Sequence, residues 1–145
     1  MVPRQIEREV FVEAPAERVW ALLTEPEHLR AWYAFDGAEV DLRPGGALVF
    51  RWAEHGEFHA VVETVEPGNR FSFRLAVAPG QPPSAGGSTL VEFTLTAEPG
   101  GTRVRVVESG FRDLALSDAE RAEHAENQAA GWEGGFDTLA SPAFA

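Results

Sequence analysis

From residue 37 to residue 110 the apolar side chains recur at every second position, in short runs separated by turn residues. Phe71, Phe73, Leu75 and Val77 make the cleanest run. Leu48, Phe50 and Trp52 share a face before it. Val91, Phe93 and Leu95, then Val104 and Val106, follow it. Between them "EHGE" (54–57), Pro67-Gly68-Asn69 and "EPGGT" (98–102) read as turns, and "APGQPPSAGGS" (78–88) as a mobile, exposed loop. A period of two puts all these side chains on one face. Short strands at this spacing make an antiparallel meander, and its apolar face must be covered.

The rest of the chain supplies the cover. "IEREVFVEA" (6–14) alternates through Ile6, Val10 and Val12 and reads as a first strand. Pro15 then opens a helix, and Pro26 divides "PAERVWALLTEPEHLRAW" into two short ones, with Thr24 capping the second. Residues 117–140 form the one long helix. Ser117 and Glu120 make a capping box, and Ala122, Ala125, Ala129, Trp132, Phe136 and Leu139 form its apolar stripe. The fold class is α+β: a curved antiparallel sheet wrapped around a long C-terminal helix, with two short helices after the first strand. The alanine half of that helix is too slight to fill the space against Phe50, Phe73 and Phe93. An internal cavity is expected there, open near the short helices.

Composition narrows the partners. With 145 residues, 44% of them hydrophobic, the chain suits one domain over 1–145. Its net charge is −11, and all 12 basic residues are arginines in no basic run, so nucleic acid and anionic membranes are not expected partners. There is no cysteine, which removes disulfides, thiolate chemistry and cysteine-zinc sites. No stretch approaches the roughly 18 apolar residues of a membrane span, and no leader is seen, so no membrane insertion and a cytoplasmic location are expected.

"VDLRPGGALVF" (40–50) contains a glycine pair that could cradle a phosphate. A phosphate loop needs a helix behind its glycines and a lysine at its start. Here an alternating strand follows, and the chain has no lysine. Pro44-Gly45-Gly46 is therefore a corner. His55 and His59 flank a turn and match no metal-ligand motif, so no metal and no cofactor are expected.

Glu108 is the polar residue that stands out, because it shares a face with Val104 and Val106. An inward carboxylate would be poorly solvated and could hold a polar ligand group or exchange a proton. The plainer reading, a strand-end glutamate that reaches water or an arginine, is preferred on sequence alone. Trp20 reads as core. Trp32, Trp52 and Trp132 divide evenly between core and ligand lining. Asn127 and Gln128 read as structural, and Asp118, Glu120 and Glu123 as a solvated helix face.

Three segments carry a resemblance: "VFVEAPAERVWALLTEPEHLRAWY" (10–33), "DLRPGG" (41–46) and "ENQAAGW" (126–132). Together they resemble the START-like, or SRPBCC, superfamily, in the branch named for the C-terminal domain of the activator of heat-shock protein 90 ATPase. The resemblance implies a helix-grip fold around a hydrophobic cavity. A small hydrophobic or amphipathic ligand is the expected occupant, and the positions read as facing that cavity, Trp32, Phe50, Trp52, Phe73, Phe93, Glu108, Trp132 and Phe136, are its expected lining. Two other roles follow from the same resemblance: a cyclase or dehydratase acting on a cavity-bound substrate, and a co-chaperone-like module with a chaperone or a second copy as partner. No catalytic residue is assigned. The last helix departs from the branch, ending at "TLASPAFA".

Overall fold

The computed structural model describes residues 1–144. The chain forms β1 (Gln5–Val12), α1 (Ala16–Thr24), α2 (Pro26–Trp32), β2 (Ala38–Val40), β3 (Ala47–Trp52), β4 (Gly56–Glu66), β5 (Arg70–Ala76), β6 (Ser88–Glu98) and β7 (Gly101–Ser109). A short 3-10 turn (Phe111–Asp113), α3 (Asp118–Leu139) and a second 3-10 turn (Pro142–Phe144) complete it. The strands make one antiparallel sheet in the order β1-β7-β6-β5-β4-β3-β2. The meander β2–β7 is thus sequential, and β1 closes it by pairing with β7 from Gln5↔Ser109 to Val12↔Thr102.

Alternation decides which residues face α3. One register row across the sheet reads Val62, Phe73, Val91, Glu108 and Ile6. Phe71, Phe93 and Val106 form the next such row. The glycine pair is a corner, as its sequence indicates. Gly45 donates its N–H to the Val62 carbonyl at 2.8 Å, and Gly46 accepts from the Val62 N–H at 2.9 Å, beside the register shift in β4. Gly46 has no space for a side chain: a Cβ there would lie 2.0 Å from the Asp41 carbonyl oxygen.

The helices form where their apolar positions demand it. Val19, Leu22 and Leu23 bury the inner face of α1. Thr24 does not cap α2. Its hydroxyl donates back to the Trp20 carbonyl at 2.8 Å, and Glu25 occupies the cap position without a side-chain bond. In α3 the capping box is present, with Glu120 N–H donating to Ser117 Oγ and Ser117 N–H to Glu120 Oε1. Its buried face runs through Ala125, Trp132, Gly135, Phe136 and Leu139, while Ala129 is exposed. The inward place expected for Ala129 belongs to the half-buried Gln128, which lies three residues from Ala125 and four from Trp132. Gly135 lets α3 sit against Trp32, whose ring would be 3.4 Å from an added Cβ.

The interior differs from the open cavity expected. Phe50, Phe73 and Phe93 are each 1% exposed, and Trp32 and Phe136 are at 0%. A water-sized void against these rings would leave accessible surface on them, so the rings themselves fill the space. The alanine half of α3 does not face an empty sheet either. Phe111 and Leu114, from the connection after β7, pack with Ala125 as a separate apolar cluster. Bulk missing from the helix is supplied by this connection. The 78–88 loop is also tied down: Ala115 donates to the Gly86 carbonyl, Val77 to Gly87 and Gly80 to Glu57.

Candidate functional site

Glu108 sits near the end of β7 with its side chain fully buried. The register row explains why. Val91 and Ile6 flank it, and α3 crosses above. No water-exposed route and no arginine satisfies it, so the plainer sequence reading fails here. Three neutral donors hold it instead. Thr89 Oγ1 donates to Oε2 at 2.6 Å, and Trp132 Nε1 donates to Oε1 at 2.8 Å. Gln128 Nε2 lies 3.0 Å from both oxygens. Strand β6, strand β7 and helix α3 therefore meet at one carboxyl group.

Burial pushes the Glu108 pKa up, and the bonds from Thr89, Trp132 and Gln128 pull it partly back. Isolated charge in such a place costs several kcal/mol. Tyr33 lies close enough to feel this group. Burial first, and the negative charge of Glu108 second, hold its phenol well above the usual value. Its ring stacks on Trp132 at 4.9 Å between centroids. Glu108 and Tyr33 are thus both driven toward their neutral forms.

The aromatic residues expected around a ligand do come together. Phe93 is central, with Trp132 at 5.6 Å, Phe73 at 6.0 Å, Trp32 at 6.3 Å and Phe136 at 6.4 Å. Phe50 joins through Phe73 at 5.5 Å, and Trp52 through Tyr33 at 5.0 Å. The three indoles are each satisfied: Trp32 donates to the Leu22 carbonyl, Trp52 to the Tyr33 carbonyl and Trp132 to Glu108. Trp20 is half-buried and packs on Phe71. Where the cluster meets solvent its members are the half-buried Tyr33, Trp52, Phe58 and Gln128. His55 and His59 belong to no group of three metal-ligand side chains among the described residues.

Three members of this site lie outside the ligand set expected from sequence: Thr89 and Tyr33, given no role there, and Gln128, read as structural. Thr89 was legible, since it precedes Val91 and Phe93 in the same alternation. Gln128 was legible once the helical phase is set from Trp132 backwards. Tyr33 carries no periodic signal, because it lies just past the end of α2.

Comparison with known proteins bears on this arrangement. The family model described as "Activator of Hsp90 ATPase homolog 1-like protein" matches residues 13–142. No curated protein matches the chain in sequence. Among solved structures, protein MLL2253 from Mesorhizobium loti is 24% identical with a TM-score of 0.77, over 94% of this chain and 93% of that one. CalU16 from Micromonospora echinospora is 23% identical with a TM-score of 0.70, over 96% and 77%. The Aha1 dimer from Colwellia psychrerythraea is 20% identical with a TM-score of 0.69, over 94% and 96%. At these identities the likeness is one of fold. No helix among the described residues is long and apolar enough to cross a membrane.

Proposed function

Starting from a chain that belongs to the family of activator of Hsp90 ATPase homolog 1-like proteins, we propose that it binds a small amphipathic molecule between the sheet and α3. The observation that carries this reading is the buried carboxyl of Glu108, held by neutral donors and ringed by aromatic side chains. A purely structural core gains nothing from a carboxylate where a leucine would pack. A ligand's polar end would bond to Glu108 and Gln128, and its apolar part would lie against Phe93 and Trp132. Because the rings already fill the interior, binding displaces the half-buried pair Tyr33 and Trp52. Native mass spectrometry of the freshly purified protein and displacement of a fluorescent fatty-amine or fatty-acid probe test this. Saturable probe binding that weakens in Glu108→Gln and strengthens or quickens in Trp52→Ala supports it. Absence of any bound or displaceable molecule in the folded protein overturns it.

The family match favours a second reading, contact with a heat-shock chaperone. Leu42, 38% exposed within the corner before β3, and Phe35, 55% exposed at the other end of β2, would offer apolar contact. Its test is a pull-down with the cognate chaperone plus an ATPase assay. No binding and no stimulation removes it.

A further inference from the structure

The face of the sheet turned away from α3 carries an open groove of about 810 Å³ that the reading above leaves unused. Its floor is one register row across four strands: Arg74 on β5, Leu90 on β6, Ser109 on β7 and Gln5 on β1. These positions alternate with Phe73, Val91, Glu108 and Ile6, so they point outward. One wall is the pinned end of the 78–88 loop at Gly86, and the other is the turn holding Arg112. Arg4 closes the end. The volume falls within the roughly 300–1,000 Å³ of small-molecule sites.

Charge sets this groove apart from the rest of the molecule. Three of the chain's 12 arginines line it, against one of its 23 acids, Asp113. The arginines are also left with free donors. Arg112 uses Nε on the Val2 carbonyl at 3.1 Å, and Arg74 uses Nε on Glu63 at 3.0 Å. The two terminal nitrogens of each guanidinium remain available. Arg4 has no ion pair among the described residues.

We propose that this groove binds the phosphate or pyrophosphate group of a small molecule. Guanidinium forks match phosphoryl oxygens in pairs. The positive charge of the three arginines suits a phosphate monoester, with three acceptor oxygens and about two charges, or a pyrophosphate that reaches along the row, better than the single charge of one carboxylate. Ser109 and Gln5 add neutral donors, and Leu90 gives the rest of the ligand an apolar floor. The site is independent of Glu108, since the two lie on opposite faces of the sheet.

The test is an amide NMR titration with sodium pyrophosphate, run against sodium chloride at matched ionic strength and against succinate. Arg4→Gln, with no ion pair among the described residues to lose, and the double variant Arg4→Gln/Arg112→Gln are compared with Arg43→Gln, which does not line the groove and whose ion-pair partner is Asp41. Melting curves establish that each variant is folded. The expected result is one saturable site with shifts at Gln5, Leu90 and Ser109. Affinity should fall about tenfold per arginine removed and stay unchanged in Arg43→Gln. No saturable shift, or binding undiminished in the double variant, overturns the proposal. Succinate binding as tightly as pyrophosphate overturns the phosphate assignment.

Discussion

Replacing Glu108 by glutamine isolates the energetics of the buried carboxyl. Glutamine keeps the shape and one acceptor oxygen for Trp132 Nε1. Its amide can donate to Thr89 Oγ1, which as a hydroxyl also accepts, and the Gln128 amide can turn to present its oxygen. The bond count is therefore nearly conserved, and what the substitution removes is the ability to ionise. Burial raises the folded-state pKa of Glu108 above the ordinary 4.5. Above pH 4.5 the unfolded chain sheds this proton while the folded chain retains it, so the native state binds more protons and stability falls with rising pH. The loss amounts to about 1.4 kcal/mol per pH unit, from 4.5 until the folded-state pKa is reached, and is constant beyond it. Other carboxylates titrate in the same range, but they cancel in the difference between wild type and Glu108→Gln. Urea unfolding of both proteins at a series of pH values and fixed ionic strength reads that difference directly. It should decline as pH rises from 4.5 and then level off. A difference that stays flat across that range, or that rises, refutes the reasoning, because the three hydrogen bonds would then match or outweigh the cost of burial.

Three further outcomes are expected. Trp132→Phe keeps an aromatic ring but removes the Nε1 donor to Glu108 and part of the buried indole, and should cost about 1–3 kcal/mol or more in urea unfolding without loss of secondary structure by circular dichroism. Ala125→Leu should destabilise by about 1–3 kcal/mol through overpacking against Phe111 and Leu114, while Ala129→Leu on the exposed side should change the melting temperature little. Gly46→Ala should prevent folding or lower the melting temperature severely, since its Cβ would meet the Asp41 carbonyl. Gly45→Ala, at φ +81° with open space around it, should cost only about 1 kcal/mol.

The sheet and its inward faces were legible because alternation is a local signal that tertiary structure preserves. Phe73, Phe93 and Glu108 all point where their spacing puts them. The phase of α3 was less so. Alanine is tolerated on both faces of a helix, so Ala122, Ala125 and Ala129 fix the stripe poorly, and the polar Gln128 was passed over for the inward place. Filling of the interior was not legible at all from the helix. It depends on Phe111 and Leu114, which lie in a connection with no periodicity, and on Tyr33, which follows a helix end. Alternation and helical phase can turn Thr89 and Gln128 inward, but not the pairing itself, since the donors to Glu108 come from positions 19, 20 and 24 residues away.

The pairing of β1 with β7 also orders events in time. β1 is made first, yet its partner strand is made last, and the ion pair between Glu7 and Arg105 spans 98 positions. While the chain is being synthesised, β2 to β6 can pair in succession, but the first strand has no partner until residues 101–109 have emerged. Only then can α3 settle, because it rests on β1 and on Glu108 of β7. Such distant pairings make folding slow, and they leave the unpaired β1 and the growing edge at β6 open to other chains meanwhile. A nascent chain stalled before residue 101 should therefore remain protease-sensitive and prone to aggregation, and closure of the sheet and burial of the carboxyl should occur together as the final step.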